Sequence, residues 1–168
     1  MKKAIKYFLI IFAIIFVLVL DSLITRFVII RMESLDLKGG GIVDMVTQIN
    51  RERGTYEIPP LTENAKLDES AQAKCNDMAA KKYFDHNAPD GTTPWSFFEK
   101  AGYKYLCAGE NITSVRGDSL AMAAFMASPE HKDNILNPDF TNVGIGRCST
   151  DGWNYVIVQH FGTPLNSK

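Results

Sequence analysis

Three side chains could transfer protons or bind a metal ion: His86, Glu110 and His131. His86 follows a predicted helix and His131 lies just inside a helix start at Ser128-Pro129. Such positions carry function more often than core positions do. Glu110 stands in Gly109-Glu110-Asn111-Ile112, between small and apolar neighbours. We expect burial to raise the pKa of its carboxyl group, which suits proton transfer or metal ligation.

Two imidazoles and a carboxylate are a common ligand set for zinc that leaves one coordination position open for water. The 45-residue separation of His86 and His131 matches no local metal motif such as H-E-x-x-H. Two hypotheses therefore stay open: a shared site for zinc or another divalent cation, or histidines that each hydrogen-bond within their own loop. A bound metal could also be structural.

Other nucleophilic arrangements receive less support. Ser128 precedes Pro129, and a Ser in that position is far more often a helix N-cap than a nucleophile. Cys107 has no His in its own segment, and a Cys nucleophile needs an adjacent base. The aromatic side chains from Trp95 to Tyr105 predict core and groove packing, although a rim beside Asp90-Gly91 could hold a sugar or a peptide.

The composition is that of one ordinary globular domain. The 168 residues are 46% hydrophobic and 22% charged, which excludes collagen-like, low-complexity and disordered classes. Eighteen basic against 19 acidic side chains give a net charge of −1. Nucleic acid is excluded as an expected partner, because its binding proteins need a basic excess to neutralise phosphates.

The first 31 residues differ from the rest of the chain. Every residue from 7 to 20 is apolar, and counting on to Thr25 gives nearly the ~20 residues that a helix needs to cross a bilayer. Three lysines precede this run, which predicts a cytoplasmic N-terminus and an exported remainder. We expect residues 1–31 to form an uncleaved signal-anchor, a transmembrane helix, rather than a cleaved secretory signal with its small-residue site. The protein would then be a single-pass protein of the cell membrane with an extracytoplasmic domain, or secreted if the segment is cleaved.

Residues 32–41 end in three glycines and predict a linker, followed by a folded domain over 42–162 and a tail over 163–168. Helical spacing and capping residues predict five helices, which begin near Ile42, at Asp68, at Thr93-Pro94, near Leu120 and at Ser128-Pro129. Two β-type runs follow, 143–146 and 155–161, with Asp151-Gly152 as the hairpin turn between them. Helices first and paired strands last predict an α+β layered domain.

The three cysteines can form one disulfide if the domain is exported. Cys75 lies in an apolar row with Ala71 and Met78 at helical spacing, which is typical of a small core residue. Cys107 and Cys148 flank the two glycine-containing motifs. We therefore expect Cys107 to pair with Cys148.

A series of short motifs resembles one known family when the motifs are taken in order. They are Asn50-x-x-Arg53, Pro60-Leu61, Asp77-Met78, Phe84-x-His86, Pro89-Asp90-Gly91, Ala101-Gly102-Tyr103, Gly109-Glu110-Asn111-Ile112, Ser128-Pro129-x-His131, Asn134-Ile135-Leu136, Gly144-Ile145-Gly146 and Gln159-x-Phe161. This order is similar to that of a bacterial CAP domain, also called SCP-like, of the superfamily of cysteine-rich secretory, antigen 5 and pathogenesis-related 1 proteins. The resemblance covers residues 42–162.

The resemblance implies an α+β fold of the three-layer α-β-α sandwich type, exported from the cell, with a central cleft lined by two His and two acidic residues. Several members of the family bind zinc or another divalent cation in that cleft. By motif, the cleft residues carry over to His86, Glu110 with its neighbour Asn111, and His131. The two histidines would be the metal ligands.

Two departures from the family pattern concern the same cleft. The helix from Leu120 to Met126 contains no second acidic residue and has Phe125 where the family usually has Trp. His160 stands where bacterial relatives commonly have Asp. It could be a new ligand, but we expect a polar residue at the end of a strand.

Two functions are carried forward. The first is a membrane-tethered extracytoplasmic module whose cleft binds an envelope or extracellular ligand or a divalent metal, with no established reaction. The second is a metal-dependent hydrolase of peptide or envelope substrates, with zinc on His86 and His131 and Glu110 as general base. A lipid or sterol carrier has family precedent, but the sequence shows no long apolar loop.

Overall fold

The computed structural model describes residues 42–117, 120–149 and 154–165. Its elements follow the predicted order of helices and strands, with two additional strands. The helices are α1 (Ile42–Thr55), α2 (Ala65–Lys81), α3 (Pro94–Lys100), α4 (Ala121–Ala127) and α5 (Pro129–Ile135); the strands are β1 (Thr62–Glu63), β2 (Tyr105–Val115), β3 (Asn142–Ser149) and β4 (Tyr155–Pro164). β4 extends two residues into the predicted tail.

The four strands form one sheet in the order β1-β3-β4-β2. β1 runs parallel to β3, whereas β4 pairs antiparallel with both β3 and β2. The register places Glu110 of β2 opposite His160 of β4, and Asn111 opposite Gln159. Because successive side chains of a strand point to opposite faces, these two pairs lie on opposite faces of the sheet.

Helices pack on both faces of the sheet. Val156 and Val158 of β4 share a buried cluster with residues of α2. Ile157 and Phe161 of the same strand share another with residues of α1, α4 and α5. The α+β prediction is therefore confirmed, and the layers are those expected of an α-β-α sandwich.

The Gly144-Ile145-Gly146 motif allows α2 to lie directly on β3. A Cβ atom at Gly144 would overlap the backbone of Leu67 and Asp68, and one at Gly146 would overlap the backbone of Ala71. Interiors are close-packed, so no space is left for an added methyl group. Both glycines are thus packing residues.

Asp68 does not cap the second helix, contrary to the prediction. α2 begins one turn earlier, with Asn64 as its N-cap accepting the N–H of Lys66. Asp68 instead accepts the backbone N–H of Ile145 at 2.9 Å, and Gln72, one turn on, accepts that of Arg147 at 3.0 Å. The short strand β1 pairs with only the first residues of β3. Beyond it, these two side chains accept backbone N–H groups of β3 that would otherwise be unpaired.

The predicted disulfide is wrong. Cys75 of α2 pairs with Cys148 of β3, with 5.7 Å between their Cα atoms, and Cys107 is free. Cys75 does lie in the predicted apolar row and is fully buried. Its row faces β3, however, because the glycines of that strand admit the helix, and this contact places Cys148 against Cys75.

The motif Asn50-x-x-Arg53 serves the fold rather than the cleft. Asn50 exchanges two hydrogen bonds with the backbone of Leu61. The buried Arg53 guanidinium donates to the carbonyl oxygens of Pro59, Ile135 and Asn137. These contacts attach α1 to the segment that leads into β1 and to the end of α5.

Several predictions fall outside the described residues: the signal-anchor over 1–31, the linker over 32–41 and the turn at Asp151-Gly152. None of the helices within the described ranges has the length and apolar composition needed to cross a bilayer.

Candidate functional site

The candidate residues lie on the edge strand β2 and on two segments next to it. His86 lies in the loop between α2 and α3, and Glu110 lies in the middle of β2. His131 is the third residue of α5, whose N-cap is Ser128, as predicted. Capping by Ser128 fixes the start of the helix, and it thereby fixes the position of His131 on the helix.

Glu110 is held between two imidazoles. Its Oε1 is 2.6 Å from Nδ1 of His86, and its Oε2 is 2.8 Å from Nε2 of His160. The Glu110 side chain is 2% exposed, whereas that of His86 is 51% exposed. The buried Glu110 carboxylate is therefore in direct contact with a half-exposed imidazole.

The pKa of Glu110 is shifted opposite to the prediction. Burial raises it, as expected, but hydrogen bonds from His160 and His86 outweigh burial and hold the pKa below its ordinary value. These donors could not be foreseen from local sequence, because both come from distant segments. Glu110 is thus an ionised acceptor at neutral pH.

His86 has the complementary shift. Its hydrogen bond with Glu110 raises its pKa, against an opposing effect of burial. Since a carboxylate only accepts hydrogen bonds, Nδ1 of His86 carries a proton toward Glu110. The His86 side chain is half-exposed, so its ring is accessible to a ligand.

His160 is not a strand-end residue, contrary to the expectation. It lies inside β4 and is fully buried. Its Nδ1 is 2.8 Å from Oγ of Ser70, and its ring stacks on Phe98 with 4.4 Å between centroids. Burial lowers the pKa of His160, so the ring is neutral beside the ionised Glu110.

Ser70, His160 and Glu110 form a hydrogen-bonded row of the residue types found in hydrolase triads. Ser70 lies on the buried side of α2 and is 0% exposed, so a substrate cannot reach its hydroxyl. A catalytic serine must be accessible to the bond it attacks. We therefore assign Ser70 a supporting role.

The opposite face of β2 carries a second polar cluster. Asn111 donates from Nδ2 to the carbonyl oxygen of His131 at 2.9 Å and to Oε1 of Gln159 at 3.0 Å. Asn134 of α5 donates to the Asn111 side chain at 2.8 Å and to the carbonyl oxygen of Glu110. Asn111 thus holds the α5 backbone at His131 against β2.

The imidazole of His131 is half-buried and meets Phe125 of α4 edge to face, with 5.4 Å between ring centroids. Burial lowers its pKa, and the charge of His86 lowers it further. Phe125, which replaces the usual Trp, therefore supports His131 by ring contact alone. The pKa values of the two histidines at this strand edge are thus shifted in opposite directions.

The donor arrangement does not fit a three-ligand zinc site. Within the described ranges, no three His, Cys, Asp or Glu side chains are grouped around a common point. Both oxygens of Glu110 accept from imidazole nitrogens, so among the three predicted residues only the two histidines keep a ring nitrogen for a metal. Zinc usually takes three or four protein ligands, more than these two.

Sequence reasoning missed Ser70 and Lys74, and it expected His160 at the end of a strand rather than in this cluster. Lys74 of α2 is fully buried and donates to the carbonyl oxygens of Asp85 and His86 at 2.8 and 2.6 Å. Burial lowers its pKa, and the charge of Glu110 opposes this effect.

Comparison with known proteins gives concordant results. The model of the cysteine-rich secretory protein family, CAP, matches residues 46–161. The uncharacterized protein YkwD of Bacillus subtilis (strain 168) is 39% identical over 103 residues, which are 61% of this chain and 40% of that protein. The chain thus matches less than half the length of this curated relative.

Two solved structures have a similar fold. An outer surface protein from Borrelia burgdorferi has a TM-score of 0.66 and 22% identity, over 71% of this chain and 90% of that one. An extracellular protein containing an SCP domain from Bacillus anthracis str. Ames has a TM-score of 0.61 and 26% identity, over 68% of this chain and 37% of that one.

Proposed function

The chain belongs to the cysteine-rich secretory protein (CAP) family, and from that premise we propose that it is a membrane-tethered extracytoplasmic binding module. Its cleft at the β2 edge would bind an envelope or extracellular ligand through His86 and His131, with Glu110 fixing His86. Membrane attachment rests on the apolar, lysine-preceded segment over 1–31.

One observation carries the binding function. Seven polar or charged side chains are buried in the part of the chain that the structure describes. Apart from Arg53, they form the two clusters at β2 or, in the case of Lys74, hold the loop of His86: Ser70, Lys74, Glu110, Asn111, Gln159 and His160. Burying polar groups is costly unless each is hydrogen-bonded. Their concentration beneath two partly exposed histidines supports a preorganised recognition site.

The hydrolase hypothesis has less support. It requires zinc on His86 and His131 with Glu110 free to act as general base, whereas both carboxylate oxygens of Glu110 are hydrogen-bonded. Zinc binding by the two histidines stays a prediction for titration to test.

The binding function predicts co-sedimentation of the full-length chain, in detergent, with peptidoglycan sacculi. We expect the double variant H86A/H131A to weaken the apparent affinity by about tenfold or more, the effect of losing ~1.4 kcal/mol of contact energy. Asp133→Ala, an exposed change on the same helix as His131, is the matched control and should bind like wild type. Equal binding by the double variant would contradict this use of the cleft.

Calorimetric titration of the same proteins with Zn²⁺ alone tests the hydrolase. The hydrolase requires saturable one-to-one zinc binding that the double variant loses. No zinc binding would exclude the hydrolase and leave the binding module, whereas saturable binding would establish the cleft as a metal site and justify a screen for hydrolysis.

Membrane attachment predicts a protected domain in intact cells. Added protease should digest residues 42–162 only once the outer face of the membrane is accessible, and a membrane-bound N-terminal fragment should remain. Digestion of the domain from the cytoplasmic side of inverted vesicles would refute the orientation.

A further inference from the structure

The buried side of the cleft contains three polar residues that no ligand can reach. Ser70 and Lys74 lie one turn apart on α2, His160 lies on β4, and all three are 0% exposed. Each is hydrogen-bonded to His160, Glu110 or the His86 loop, which are the parts that set the cleft geometry.

The row from Ser70 to Glu110 has one consistent assignment of protons. The Glu110 carboxylate accepts, so Nε2 of His160 donates to Oε2. Nδ1 of the neutral ring then accepts the Ser70 hydroxyl proton. With Phe98 stacked on the ring, His160 cannot turn without losing both bonds. Oε2 is thereby fixed, and Oε1 faces His86.

Lys74 fixes His86, the partner of Glu110, through the loop that carries it. Its ammonium group donates to the carbonyl oxygens of Asp85 and His86 and lies 3.1 Å from the Tyr83 hydroxyl. Three donors on one cation thereby hold the loop that carries His86. The same charge lies near the buried Glu110 and favours its ionised form.

We propose that Ser70, Lys74 and His160 form a positioning frame that presets the His86–Glu110 pair. The frame holds the proton of His86 on Nδ1 and leaves Nε2 to face the cleft, so the site is organised before any ligand arrives. It rests on the proposed function only in assigning the pair to ligand recognition, because the frame itself can be detected without a ligand.

The test is nitrogen NMR of the full-length chain in detergent, labelled with ¹⁵N-histidine. The chain has three histidines, so single His→Gln variants assign every ring. At pH 9, well above the ordinary imidazole pKa of about 6.5, ring shifts report which nitrogen carries the proton. We expect His86 as the Nδ1–H tautomer and His160 as the Nε2–H tautomer.

Variants separate positioning from packing. In H160L, which has no donor for Glu110, we expect His86 to lose its single tautomer while the His131 signals stay unchanged. In H160Q, whose amide can donate to Glu110, the His86 tautomer should be retained. A His86 ring that keeps the Nδ1–H tautomer in H160L would overturn the proposal.

The milder variant S70A decides the question if H160L does not fold. It removes only the hydroxyl that donates to Nδ1 of His160. Because Glu110 still accepts from Nε2, we expect the His160 tautomer to stay, while the His160 ring is free to tilt and the His86 ring loses its single tautomer. A His86 ring that keeps the Nδ1–H tautomer in S70A would refute the frame. Neither result depends on sacculus or zinc binding, so failure of the frame and failure of the proposed function are distinguishable.

Discussion

Removal of the Cys75–Cys148 disulfide is expected to lower the free energy of unfolding by about 4 kcal/mol, the chain-entropy effect of a cross-link that spans 73 residues. The bond attaches α2 to β3. The same helix carries Ser70 and Lys74 of the positioning frame. Loss of the disulfide should therefore also make the His86–Glu110 geometry less fixed. Urea denaturation of the double variant C75A/C148A measures the change.

Cys107→Ser is the matched control. Cys107 is a free thiol on β2, so its replacement should leave the midpoint almost unchanged. Thiol labelling of the unreduced, unfolded chain should modify Cys107 alone. A stability loss in C107S, or labelling of Cys75, would contradict the pairing.

The wrong disulfide prediction shows what helical spacing can and cannot predict. Spacing correctly placed Cys75 on a buried helix face, but a disulfide depends on which strand that face meets. Gly144 and Gly146 determine the contact, because their missing side chains permit the backbone of α2 to approach β3. The sequence contains that information only if the two glycines are recognised as positions where a helix packs directly on the strand.

The buried face of α2 contained a signal for the site that the sequence analysis did not use. Its buried residues recur at helical spacing: Leu67, Ser70, Ala71, Lys74, Cys75 and Met78. A Ser and a Lys on an apolar stripe are exceptions that call for buried partners. Their partners, His160 and the loop carbonyl oxygens, could not be predicted without the fold.

Strand β2 was the main element that local sequence patterns did not predict. Its run Tyr105–Val115 mixes small, polar and apolar residues, because Glu110 and Asn111 occupy buried positions that a purely structural strand would fill with apolar side chains. The role of His160 depends on the same strand, since it lies directly opposite Glu110. Motif resemblance, by contrast, was sufficient to bring His86 and Glu110 together as candidates.

Glu110→Leu is expected to have the second large effect on stability, about 3 kcal/mol. The change removes the acceptor for two imidazoles, and each unsatisfied donor costs about 1–3 kcal/mol where it is buried. His160 is fully buried, so its Nε2–H cannot turn to water. Lys74 also loses the charge that favours its protonated form. Urea denaturation should show a lower midpoint with an unchanged slope.

Glu110→Gln is the matched comparison, because it keeps the shape but removes the charge. An amide can accept from His86 and donate to His160 if that ring exchanges its tautomer. We therefore expect a smaller loss than in Glu110→Leu. Equal losses in the two variants would show that the charge, and not the hydrogen bonds, stabilises the cluster.

The stability difference between wild type and Glu110→Gln should depend on pH. The lowered pKa of Glu110 contributes stability above its ordinary value of 4.5, lost as the pH falls through the folded-state pKa. The raised pKa of His86 contributes stability below 6.5, lost as the pH rises through the folded-state pKa. Both contributions are present between these values, so the difference should be largest near pH ~5.5 and shrink toward pH ~9. A difference that is constant over this range would mean that His86 and Glu110 do not form an ion pair in solution.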